Sequence, residues 1–189
     1  MMEVKGDALV SIPIFILKKL GKKGFNEWLD AISSDARNIY MSPIKKNEWY
    51  PLQKIMVEPS LKACDMFFHG SRRGAWECGR YSAEFGLKGL YKVLVKLASP
   101  QVLIKKAGPI INSYYKPSTL EVIDSGNNFV ILRITEFSEM DKMIEYRIAG
   151  WMERALEICG CKHISIKIDK SLTDNDPYTE YLITWKTRL

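Results

Sequence analysis

At 189 residues, with 47% hydrophobic and 26% charged residues, the chain has the length of one ordinary domain and a composition far from that of a disordered polymer. Its four cysteines, Cys64, Cys78, Cys159 and Cys161, are too sparse and irregular for the disulfide framework of a small secreted protein, so reduced thiols are expected. The net charge of +6 is uneven, with +3 on residues 1–62, +6 on 63–117 and −3 on 118–189; this argues against a polyanion-coating role and ranks nucleic acid last among partners.

The first two-thirds of the chain reads as helices. Segments 9–20 and 22–33 are separated by Gly21, and Phe25, Leu29 and Ile32 recur at helical spacing, while Pro13 disturbs the first segment. The apolar run 8–17 is too short to cross a bilayer and follows Glu3 and Asp7 in place of a basic flank, so a cytoplasmic location is expected. After a loop with Pro43, Trp49-Tyr50-Pro51 opens a helical stretch in two pieces, where Pro51 and Pro59 suit first-turn positions. Residues 76–97 form the next helix, with Leu87, Leu90, Tyr91, Leu94 and Leu97 on one face, and Ser99-Pro100 ends it before a short helix over 101–114.

A different grammar follows. Segments 119–124 and 129–137 flank the turn-rich Ser125-Gly126-Asn127-Asn128 and read as a hairpin. Residues 140–159 return to helical period, capped by Gly160. Strands 163–169 and 178–186 then pair across Asp174, Asn175, Asp176 and Pro177, with Ile164, Ile166 and Ile168 facing the core and Ser165 and Lys167 facing away. The expected fold is α+β, one domain over 1–189: a mainly helical part (1–117) followed by ββαββ (118–189), whose four-stranded antiparallel sheet packs against helices.

Trp49-Tyr50-Pro51, then Gly79-Arg80-Tyr81 leading to Gly89-Leu90-Tyr91, then Ser99-Pro100, Gly150 and the closing Tyr181-Leu182-Ile183-Thr184-Trp185 stand in an order that resembles an uncharacterised bacterial family. That family is related to a superfamily of haem nitric-oxide-binding sensors, 4-vinyl-reductase-type ligand-binding domains and trafficking-complex subunits. The resemblance covers nearly the whole chain and implies an apolar ligand cavity between helices and sheet.

Haem, which the resemblance brings into question, needs an axial ligand such as His in a pocket. Only two histidines exist: His163 shares the polar strand face with Ser165 and Lys167, and His69 suits a surface or capping place at a helix end. The Tyr-x-Ser-x-Arg propionate clamp of those sensors is missing, because Tyr40-Met41-Ser42-Pro43-Ile44 ends in isoleucine. Cys159-Gly160-Cys161 has no second pair for zinc. Gly70-Ser71-Arg72-Arg73-Gly74 is neither a nucleophile elbow nor a phosphate loop, and Glu77 and Glu84 read as surface ion-pair members. No catalytic residue, metal or cofactor is therefore assigned.

The leading expectation is a non-enzymatic sensory or regulatory domain that binds an apolar or aromatic small molecule between helix 76–97 and the sheet, lined by Tyr81, Phe85, Tyr91, Tyr114 and Trp151. The alternative is a protein–protein interaction module that uses the same aromatics together with Arg72, Arg73 and Arg80. Oligomeric state is not set by the sequence. The small-residue stripe Gly79, Ser82, Ala83, Gly86 and Gly89 requires a close approach, read as helix packing before a ligand groove, so that Gly86→Leu should destabilise the fold.

Overall fold

The structure, a computed structural model, describes residues 1–87 and 99–186. It begins with strand β1 (Glu3–Lys5), followed by helices α1 (Gly6–Leu9), α2 (Ser11–Ala31) and α3 (Ser34–Met41). Gly21, with φ 68° and ψ −177°, interrupts α2 where the sequence placed a break, since only glycine takes that conformation cheaply. Pro13 is accommodated because it lies in the first turn, where N–H groups have no helical partner. Helix α3 occupies a stretch read as loop; it is too short to show a periodic signal, and Ser33 caps it by accepting from the Ala36 N–H.

Trp49-Tyr50-Pro51 does not open a helix. It is strand β2 (Trp49–Pro51), antiparallel to β1, whose other edge pairs with β3 (Tyr115–Lys116), giving the order β2-β1-β3. Strands of two or three residues are stabilised by pairing across the fold and carry no alternation long enough to read. A π-helical turn (Gln53–Val57) then leads into α4 (Glu58–Phe67), with Pro59 in its first turn as expected.

Helix α5 (Arg73–Gly86) covers the first part of segment 76–97; the remainder, with Gly89, Leu90, Tyr91, Leu94 and Leu97, lies outside the described residues. Segment 101–114 is two helices, α6 (Pro100–Lys105) and α7 (Ala107–Tyr114), divided at Lys106. Strands β4 (Thr119–Ser125) and β5 (Phe129–Glu136), helix α8 (Lys142–Ile158), and strands β6 (Lys162–Lys170) and β7 (Thr179–Lys186) follow as the sequence predicts. The sheet is antiparallel throughout, in the order β4-β5-β7-β6.

Alternation decides which sheet face is covered. Val130, Leu132 and Ile134 of β5 and Tyr181, Ile183 and Trp185 of β7 are buried. On edge strand β6, Ile164, Ile166 and Ile168 are half-buried against the same core while Ser165 and Lys167 are exposed, in the expected register. Core residues come from both the helical part and the ββαββ part, including Trp28, Ile12, Ile144 and Tyr181.

Helix α8 lies against α5, and the contact is made by backbone. A Cβ built on Gly79 would land on the carbonyl oxygen of Arg147, and one on Gly150 would land on that of Trp76. The close approach expected of the small-residue stripe is therefore helix-on-helix packing at Gly79. At Gly86 the expectation is corrected: the residue is exposed and no described atom lies within 4 Å of its Cβ position, so a side chain there displaces none of the described residues.

Candidate functional site

Two of the five candidate aromatics converge. Tyr114, at the end of α7, and Trp151, on α8, line a cavity of about 30 Å³ together with Ser82, Tyr115, Arg147 and Ile148. A second, almost wholly apolar cavity of about 30 Å³ lies on the sheet side, between α6, α7, α8 and strands β5 and β7. Ile110 and Trp151 line both, so the two cavities adjoin at these residues. Burial raises the Tyr114 phenol pKa, with Asp7 adding to the effect.

Tyr81 and Phe85 belong to a different cluster. Their rings stack with centroids 6.4 Å apart, Phe15 of α2 sits 5.7 Å from Tyr81, and the Lys18 ammonium lies over the Tyr81 ring at 5.3 Å. Tyr91 lies outside the described residues. Arg72 and Arg73 are exposed at the start of α5, on an open groove of about 470 Å³ completed by Gly70, Ser71, Trp76 and Tyr146. Arg80 is engaged within the chain: its fork donates to both oxygens of Glu157, at 3.0 and 2.9 Å, and to Glu153, which also accepts from Trp76 Nε1 at 2.7 Å.

Arg147 was not singled out from the sequence, yet it is the most unusual side chain at the site. It is 4% exposed, and its guanidinium donates to Cys78 Sγ at 2.8 Å, to the Ala8 carbonyl at 2.8 Å and to Ser11 Oγ at 3.3 Å. No carboxylate side chain among the described residues pairs with it, and residues 88–98 contain no Asp or Glu. Burial works to lower its pKa, but Cys78 and Tyr115 outweigh that and shift it upward, so the group stays cationic. A helical signal was available: Arg147 follows Ile144 by three positions and precedes Trp151 by four, inside the apolar stripe of α8.

The other buried charged residue on α8, Glu145, is fully enclosed and accepts from Ser171 Oγ at 2.7 Å and Thr179 Oγ1 at 2.6 Å. These bonds tie α8 to the β6–β7 connection. Cys159 and Cys161 have thiols pushed up to about 11 by burial, which keeps them protonated near neutrality and poor as nucleophiles or metal ligands. Among the described residues, no group of three or more His, Cys, Asp or Glu side chains is placed to hold a metal ion.

Among the described residues, haem finds no histidine placed in a cavity. His69 and His163 are both exposed, with positive φ of 53° and 52°, and neither lines a cavity described above. Tyr40 is buried, its hydroxyl donating to the Ile55 carbonyl and its ring 5.0 Å from Trp28, so it is part of the core. The two cavities beside Trp151 each hold a water or two, whereas pockets for organic ligands run to roughly 300–1,000 Å³.

No helix among the described residues is long and apolar enough to cross a membrane. No protein-family model and no curated protein matches the sequence. Solved structures do match over the whole length. An H-NOX (haem-nitric oxide/oxygen binding) protein from K. algicida in the Fe(II) unliganded state superposes with a TM-score of 0.74 at 10% identity, over 98% of both chains. One from S. oneidensis in the Fe(II)NO state gives 0.74 at 13%, over 97% of this chain and 99% of that one, and a point mutant of T. tengcongensis H-NOX gives 0.60 at 11%, over 98% and 99%. With its N-terminal helices and a four-stranded antiparallel sheet packed against α8, the chain has an H-NOX-like fold.

Proposed function

We propose that the chain is a non-enzymatic, cytoplasmic sensory or regulatory domain that binds an apolar or aromatic small molecule between helices and sheet, and that it does so without haem. The observation that carries this reading is the pair of cavities that adjoin at Ile110 and Trp151, apolar on the sheet side and lined by Arg147 and Tyr114 on the other. An occupant that swings these two side chains apart would join the cavities, with the indole as a flat wall. The H-NOX proteins of like fold, in Fe(II) unliganded and Fe(II)NO states, support a ligand-binding use of this architecture. The order of short aromatic motifs supports a place beside the uncharacterised bacterial family and its vinyl-reductase-type and trafficking-complex relatives. Tyr114 and Trp151 are the lining residues to which this proposal commits.

Native mass spectrometry of freshly purified chain tests it. One small organic molecule per chain, lost in Trp151→Ala, is the expected result. A bare chain whose melting temperature is unmoved by small apolar aromatics overturns it. A second reading, a protein–protein interaction module, is favoured by how little space the interior cavities hold and by the open groove carrying Arg72 and Arg73. Under it, Arg72→Glu with Arg73→Glu would abolish partner capture while leaving the melting temperature within about a degree.

A further inference from the structure

A buried cation without a counter-anion is costly, because desolvation is offset only by close opposite charge. Among the described residues no carboxylate side chain pairs with Arg147: its hydrogen bonds go to Cys78 Sγ, the Ala8 carbonyl and the Ser11 hydroxyl. Tyr115, the other polar neighbour that acts on it, is a phenol whose own pKa burial raises, so it is neutral near pH 7. Arg147 is also one of the residues that line the cavity whose other walls include Ile110, Ile148 and Trp151. A charged head beside apolar walls is the arrangement that receives an amphipathic anion.

We infer that Arg147 is the receptor for the carboxylate of a small organic acid, whose aliphatic or aromatic tail lies along Ile110 and Trp151 toward the sheet-side cavity. This rests on the ligand-binding reading above and names the chemical class of the ligand. The planar, forked carboxylate matches the guanidinium and supplies a negative charge, and the cavity of about 30 Å³ offers space beside Arg147 for the head group. Phosphate esters fit less well: their greater bulk and charge would have to be buried among Ala8, Ile111 and Ile148.

The test is calorimetric titration of the full chain with sodium hexanoate and sodium benzoate against the matching neutral probes hexanamide and benzamide, in wild type and in Arg147→Met. Each carboxylate should bind wild type about tenfold or more tighter than its amide, as charge-assisted hydrogen bonding predicts. In Arg147→Met the preference should vanish while the amides bind as well as before. Should Arg147→Met fail to fold, Arg147→Lys keeps the charge without the fork and should weaken the carboxylates about tenfold with the amides unchanged. Carboxylates and amides binding wild type alike, or a preference that survives both substitutions, overturns the role of Arg147 while leaving the apolar site standing. Binding of none of the four probes overturns both.

Discussion

Position 79 offers the sharpest single-atom test of how α5 and α8 meet. A methyl group added at Gly79 meets the Arg147 carbonyl oxygen, a backbone atom that cannot rotate away, and at Gly150 it meets that of Trp76. Gly79→Ala should therefore destabilise by about 1–3 kcal/mol, even though alanine favours helix by up to about 1 kcal/mol. Gly86→Ala, with no described atom to displace, should gain from that propensity and melt slightly above wild type. Thermal melts of the two variants check the order; Gly79→Ala melting at or above wild type would show that the helices are not in backbone contact. At this scale the sequence marked the right kind of residue, since a stripe of small side chains announces a close approach. It could not say which member touches, because Gly79 and Gly86 are chemically identical and differ only in what lies opposite.

The α5–α8 pair is also joined at its edge by Arg80, whose fork engages Glu153 and Glu157 from one turn of the opposite helix to the next. Burial pushes the Glu157 carboxyl up, but the hydrogen bonds from Arg80 and Arg154 outweigh it and hold the pKa below its ordinary value. A folded-state pKa lower than the unfolded one adds stability at neutral pH that is lost as pH falls through the usual glutamate range near about 4.3 and below. Arg80→Met should thus lower the melting temperature at pH 7 and flatten its fall on acidification, the two proteins converging toward about pH 3. Parallel melting curves across that range would show that the pair adds nothing. Elements with a long period were readable: α8, the β4–β5 hairpin and the β6–β7 pair stand where alternation and helical spacing put them. The two- and three-residue strands and α3 were not, because the strands depend on partners far along the chain and α3 is too short to show a period. Arg147 lay in plain view within the α8 stripe, but a cation there looks like a surface residue until the helix is seen to be covered on most sides.

For the whole molecule, an H-NOX-like fold stands beside described residues that offer haem no enclosed histidine. The architecture is H-NOX-like, yet both histidines sit at the surface and the cavities beside Trp151 are far smaller than a tetrapyrrole. Purified protein should be colourless, and incubation with haemin should give no Soret band; a band that disappears in His69→Ala would show an axial ligand where none is expected. We propose that the chain folds as one unit, because among the described residues the helical and ββαββ parts share a core; two parts that each fold when expressed separately would overturn this.

The glycine seam sets a clock as well as a shape. It joins helices whose touching residues stand far apart in the chain, as with Cys78 and Arg147 at a separation of 69 positions. The β4–β5 hairpin closes across three intervening residues and can form first, whereas docking α5 on α8 must overcome the entropy of closing a long loop. Contacts made after the rate-limiting step leave the folding rate almost untouched and govern how fast the native state is lost. In a chevron experiment Gly79→Ala should accordingly displace the unfolding arm alone, making the seam the place where this protein stores its lifetime.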